Sequence, residues 1–215
     1  MIRRLPVYLL VDCAGHMTGD PIASVNHGIR LLHSNLLGDP YAVEFAHLSV
    51  ITFDGWARQV APLADICDFD PPDLSAGGTR ALGAALGLLI DRMAFEVRRN
   101  TPDQRGDWKP LVFLLVDGNP TDSWQSQAEQ IKQNNPTPAN IIAVSCGDEE
   151  AASFLKEITG NVLLLNDRSP EGFATLFKWI SAVVSQASAK CFASSNAATE
   201  GMVLPPLPAG ITIVP

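Results

Sequence analysis

The chain has 215 residues with a formal net charge of −8; 47% are hydrophobic and 18% charged. That length suits one domain with a substantial core, and the hydrophobic share excludes disorder over most of it. The negative balance disfavours nucleic acid as a partner. The start, MIRRLPVYLLVD, has too short an apolar stretch for a signal peptide, and no apolar run approaches the roughly 18 to 20 residues that span a bilayer. A cytoplasmic protein with no membrane partner is expected. The four cysteines, Cys13, Cys67, Cys146 and Cys191, form no Cys-x-x-Cys pair, which argues against a zinc ribbon or a redox motif.

Apolar runs alternate with segments of helical period, the pattern of a parallel sheet covered on both faces. The first run, Leu5 to Val11, ends at Asp12. A helix follows, with Asp20 as cap, Pro21 in its first turn and Ile22, Val25, Ile29, Leu32 and Leu36 on one face. Val43 to Phe53 reads as one long strand. Asp54-Gly55 then turns the chain so that Arg58 to Leu63 returns antiparallel as an edge strand. After a Pro- and Asp-rich loop from Asp65 to Gly78, a second helix carries Leu82, Leu86, Leu89 and Met93. Its small residues Gly83, Ala84, Ala85 and Gly87 favour close approach to the sheet.

Leu111 to Val116 is the most apolar run and is expected at the sheet centre, ending in Asp117-Gly118. A short helix is placed within Trp124 to Asn134. Ile141 to Cys146 follows as a strand, then a helix with Asp148 as cap, Phe154 and Leu155 inside and Gly160 as its stop. Val162 to Leu165 is expected as the last strand. Ser169-Pro170 opens a final helix with Phe173, Leu176, Phe177, Ile180 and Val184 on one face. The expected fold is thus a doubly wound α/β domain over residues 1–186. Its sheet would be mostly parallel and six-stranded, with one antiparallel edge strand. Residues 187–215, Ala- and Ser-rich and then MVLPPLPAGITIVP, are expected as a tail, either a linker or a segment packed along the body. A basic run, Arg92, Arg98, Arg99, Arg105 and Lys109, is interleaved with Asp91, Glu96, Asp103 and Asp107 and reads as a solvated helix end and loop.

In open α/β sheets ligands bind outside the carboxyl ends of the strands. Three polar segments converge there: Asp12-Cys13-Ala14-Gly15-His16, Gly77-Gly78-Thr79 and Asp117-Gly118-Asn119-Pro120-Thr121-Asp122. Their order resembles that of the von Willebrand factor A (VWA) family over roughly residues 5 to 185. LPVYLLVD, the GDPI helix start, FLLVDGNPTDSW and the Pro-rich tail are most similar to VWA proteins of bacterial tellurium-resistance and stress-response operons. The resemblance implies a protein-binding module, not an enzyme, whose partner would be another product of such an operon, a kinase or phosphatase among them.

The family's metal-ion-dependent adhesion site uses Asp-x-Ser-x-Ser, a distant Thr and a distant Asp around Mg²⁺. On this chain Asp12, Thr79 and Asp117 match, whereas Ala14 and His16 stand where the serines would be. Ala14 offers no ligand atom, and the His16 nitrogen is one that Mg²⁺ does not favour. A degenerate site, empty or holding Mn²⁺ or Zn²⁺ weakly through Asp12, His16, Thr79 and Asp117, is expected. Partner contact is assigned to those four residues with Asp122 and Trp124, an exposed Trp being a good anchor. Blander roles remain open: Asp12 and Asp117 as turn caps, Thr79 as a helix cap, His16 as a loop histidine, Asp122 and Trp124 as loop residues shaped only by packing. Two alternatives stand beside protein binding. One is a phosphoryl-transfer hydrolase with Asp12 as nucleophile, though Ala14 denies it a second carboxylate. The other is an assembly subunit that docks its C-terminal tail on a neighbour.

Overall fold

A computed structural model describes residues 2–134, 137–147, 149–193 and 204–214. Seven strands form one sheet: β1 Leu5–Asp12, β2 Ala46–Phe53, β3 Ala57–Asp65, β4 Leu111–Val116, β5 Asn140–Cys146, β6 Val162–Leu165 and β7 Ile211–Ile213. The helices are α1 Asp20–Leu37, α2 Pro40–Phe45, α3 Leu82–Glu96, α4 Gln125–Lys132, α5 Glu149–Leu155 and α6 Pro170–Ala193. The strand order is β3-β2-β1-β4-β5-β6-β7; β3 and β7 run antiparallel at the two edges and the five strands between them are parallel.

Alternation along β1 builds both cores. Val7, Leu9 and Val11 face α1 and α6, with Ile29, Leu32, Phe173 and Phe177 in the same cluster. Tyr8 and Leu10 face the other layer, where Leu82, Leu86, Leu89 and Met93 of α3 close over Val112 and Leu114 of β4. Strands buried on both faces carry no polar register signal, and their near-continuous apolar runs reflect that. Cys13 and Cys146 are buried in the first cluster as small hydrophobes. Among the described residues, no helix is long and apolar enough to cross a membrane.

Several expectations are corrected. The stretch from Val43 is not one strand. The Asp39 carboxylate accepts from the Tyr41 and Ala42 amides (2.9 and 3.4 Å) and, with Pro40 in the first turn, starts α2, so Val43 and Phe45 are helical. α1 begins at Asp20 itself, with Gly19 in the cap position at φ +87°. α5 ends at Leu155, short of Gly160; the expected cap, Asp148, lies outside the described residues. Gly83 serves an approach to a loop, not to the sheet: a Cβ there would fall 2.0 Å from the Ser123 carbonyl oxygen.

The sheet has seven strands, not six, because the tail returns to it. α6 crosses the expected boundary at residue 186 and continues to Ala193, its Ser188 and Cys191 buried. Leu204 and Leu207 pack on the core, and Trp179 Nε1 donates to the Pro205 carbonyl at 3.3 Å. Gly210 turns the chain at φ +87°, and Ile211, Thr212 and Ile213 pair with Leu165, Leu164 and Leu163 of the same molecule.

Candidate functional site

β1 and β4 are neighbours, but the segments that follow them leave for opposite layers, α1 packing with α6 and α4 with α3. The crevice at their carboxyl ends is the topological switch point of the sheet. Four loop segments are tied together there by backbone hydrogen bonds. Cys13 N donates to Phe53 O (2.8 Å), Gly77 N to Cys13 O (2.8 Å), Gly15 N to Gly78 O (3.1 Å), Ala81 N to Asp54 O (2.7 Å) and Thr121 N to Arg80 O (2.9 Å). A crevice braced on every side holds its side chains in fixed positions.

Asp12 lies at its floor, 1% exposed. Its Oδ1 accepts from the Ala14 amide at 2.8 Å; its Oδ2 accepts from the Asp117 amide at 3.0 Å and from Arg80 Nε at 2.5 Å. The Arg80 guanidinium also donates through Nη1 to the Asn119 carbonyl at 2.9 Å. Thr121 fixes the arginine's backbone, its hydroxyl accepting from Arg80 N (3.0 Å) and donating to Arg80 O (2.9 Å). Asp117 is paired in turn, accepting from Arg168 Nη2 at 2.6 Å. Both arginines lie against glycines of positive φ. A Cβ on Gly118 (φ +108°) would meet Arg80 Nη1 at 2.9 Å, and one on Gly147 (φ +83°) would meet Arg168 Cδ at 2.5 Å. Burial pushes the Asp117 carboxyl up from its ordinary value; Arg168 pulls it back and nearby Asp12 pushes it further up. An open cavity of about 500 Å³ above this floor is lined by His16, Arg80, Asp117, Gly118, Asn119 and Arg168.

The six residues expected at the site divide. Asp12, His16 and Asp117 are brought together, His16 exposed at the rim. Thr79 is not among the residues lining the cavity; it is exposed, and its hydroxyl faces the Gly55 turn, 3.4 Å from where a Cβ on that glycine would lie. It does not cap α3 either. Asp122 does so from another loop, accepting from the Gly83 and Ala84 amides at 2.9 and 3.0 Å. Trp124 is 6% exposed and packs on Phe154 with ring centroids 5.5 Å apart, so it is a core residue and not an exposed anchor. Two residues that line the crevice, Arg80 and Arg168, escape the sequence reading. Among the described residues, an exposed aromatic at this end is Trp56, 64% exposed in the β2–β3 turn, whose Asp54 carbonyl is bonded to the loop that carries Arg80.

A family model described as the von Willebrand factor type A domain matches residues 7–177. The chain belongs to the VWA family. A search of curated proteins finds no match. Solved structures share the fold. Proximal thread matrix protein 1 of the mussel byssus, determined with a zinc-occupied MIDAS motif, aligns at TM-score 0.61 and 18% identity, covering 86% of this chain and 48% of that one. The pilus adhesin SpaC of Lactobacillus rhamnosus GG aligns at 0.67 and 12%, covering 86% and 31%. A von Willebrand factor type A structure from Catenulispora acidiphila aligns at 0.60 and 18%, covering 86% and 43%. The VWA chain described here spans less than half the length of each.

The residues present do not fit a divalent ion in the family's manner. Asp12 has given both oxygens to amides and a guanidinium, and the cation beside it is Arg80. A metal there would face the positive charge of the Arg80 guanidinium. Among the described residues, no group of three or more His, Cys, Asp or Glu is placed to hold a metal ion.

Proposed function

We propose that this chain is a protein-binding VWA module whose contact face is the carboxyl edge of its sheet and works without a divalent ion. The observation that carries the reading is the buried Arg80–Asp12 pair, which puts a covalently tethered cation at the floor of the crevice. The face would comprise the rim at His16, Asn119 and Arg168 and the exposed Trp56 hairpin, Trp56 acting as the aromatic anchor that interfaces favour. Asp12 is a poor nucleophile in this setting, being buried and held by three donors, so we read the module as non-catalytic. The tail is a poor docking arm for a neighbour, because β7 pairs within its own molecule.

The sequence likeness to tellurium-resistance and stress-response VWA proteins supports a cytoplasmic partner from such a system, a kinase or phosphatase among the candidates. The test is affinity capture from stressed cells with wild-type, Trp56→Ala and His16→Ala chains, each in EDTA and in Mg²⁺. Capture by the wild type in both conditions, weakened in Trp56→Ala, is the expected result. Capture that appears only with Mg²⁺, or that ignores both substitutions, would overturn the reading.

A further inference from the structure

A second cavity, of about 540 Å³, opens at the opposite end of the sheet. It is lined by Arg3, Arg98, Arg99, Trp108, Lys109 and Thr137, with Asp107 the one acidic residue among the described lining. The Asp107 carboxylate is already committed, accepting from Arg4 Nη2 at 2.6 Å, Arg4 Nε at 3.1 Å and the Arg98 amide at 2.8 Å. Arg4 thereby cancels the only negative charge among the described residues of the wall, and these keep a positive surplus in a chain whose net charge is −8. Among the described residues, the side chains of Arg99 and Lys109 have no ion-pair partner. The sequence alone reads this basic run as a solvated helix end; the fold adds Arg3 and Trp108 to it and makes it concave.

Two further observations make it a built site. The Arg3 guanidinium lies over the Trp108 ring, 3.8 Å from its centroid, and is fixed by a 2.8 Å hydrogen bond from Nε to the Gly106 carbonyl. Burial, and Arg105 nearby, hold the Arg3 pKa below its ordinary value, so a negative charge here would relieve an existing electrostatic cost. Trp108, 4% exposed, has a buried Nε1 donor with no acceptor, and the Thr137 hydroxyl beside the same cavity is also unpartnered. A buried donor left unmade is costly, and native proteins rarely leave one without a ligand, water or ion to satisfy it.

We propose that this cavity binds a phosphate group carried by a small molecule. Fork-shaped guanidinium groups and an ammonium suit a phosphate's acceptor oxygens, and several cations together favour a multiply charged anion over a single carboxylate. The volume is that of a small-ligand pocket. An extended nucleic acid is disfavoured, because the rest of this acidic chain would repel a polyanion beyond the cavity. The proposal is independent of the protein-binding face, which lies at the other end of the strands.

The experiment is NMR of the full chain, following the Trp108 indole N–H signal, assigned with Trp108→Phe. Inorganic phosphate, a nucleoside monophosphate and a phosphoserine peptide are titrated separately at constant ionic strength, with chloride as control. The expected result is a saturable shift with phosphate and tighter binding of the nucleoside monophosphate. Arg99→Gln and Lys109→Gln, which change side chains not fully buried, should each weaken binding by about tenfold or more, the loss of one charge-assisted contact. No saturable shift, an equal shift with chloride, or affinities unchanged in both variants would overturn the site. Tightest binding of the phosphopeptide would overturn the small-molecule assignment.

Discussion

Arg80→Met tests whether the tethered cation holds the crevice together. The substitution keeps much of the aliphatic stem and removes the guanidinium, leaving Asp12, 1% exposed, without its charge partner. Breaking a buried ion pair from one side costs about 3–5 kcal/mol. Asp12 still accepts from the Ala14 and Asp117 amides, which places the expected loss at the lower end, about 3 kcal/mol. For a domain of about this length each kcal/mol moves the melting midpoint by roughly 2–4 °C, so a fall of about 6–12 °C is expected. Urea unfolding at neutral pH, followed by tryptophan fluorescence, measures the loss directly. The double variant Asp12→Asn, Arg80→Met removes both charges and should recover part of it, since no buried carboxylate is left uncompensated while the Asn amide group meets one of the two backbone N–H donors. A loss below about 1 kcal/mol in the single variant, the range of exposed pairs, would refute the claim that this pair is structural.

The same geometry sets two further outcomes. Metal-stripped wild type should show no melting shift with Mg²⁺, Mn²⁺ or Zn²⁺. Arg80→Thr, which removes the cation and supplies a hydroxyl beside Asp12, should gain about 2.7 kcal/mol with an ion at about 100 times its dissociation constant. A wild-type shift as large as the variant's would contradict the Arg80 argument. Asp117 should titrate above its ordinary value of 3.8, because burial raises it. A carboxyl raised in the folded state contributes stability that is full below its unfolded pKa and lost as pH rises through the folded one. Arg168→Met removes the neighbour that pulls Asp117 down, so its carboxyl resonance should titrate higher still, and a midpoint at or below 3.8 would oppose this.

The fold was legible because its determinants are local and redundant. Leu5 to Val11 and Leu111 to Val116 have the length of buried strands and end at turn signals, and the i, i+3, i+4 spacing from Ile22 to Leu36 and from Phe173 to Val184 marks two helices without tertiary knowledge. What escaped were features decided by remote partners. Val43 and Phe45 alternate as a strand would, but Asp39 capping outweighs the pattern. Ile211 to Ile213 is too short to announce itself and becomes a strand only because β6 offers a free edge.

The site shows the same limit more sharply. The two aspartates at strand ends were found because strand ends are found. Which residue after the Gly77-Gly78 pair turns inward is not legible in the sequence, since loop side chains carry no periodic signal of the face they take. Thr79 outward and Arg80 inward differ by one residue, yet that step replaces a neutral hydroxyl oxygen with a full positive charge. Ala14 and His16 predict a weakened metal site, and Arg80 gives a physical reason for it: the charge the two aspartates need comes from the chain itself. On the proposed reading, a crevice neutralised from within needs no ion to hold its shape, and binding at this face would be governed by the partner's own chemistry and not by the supply of an ion.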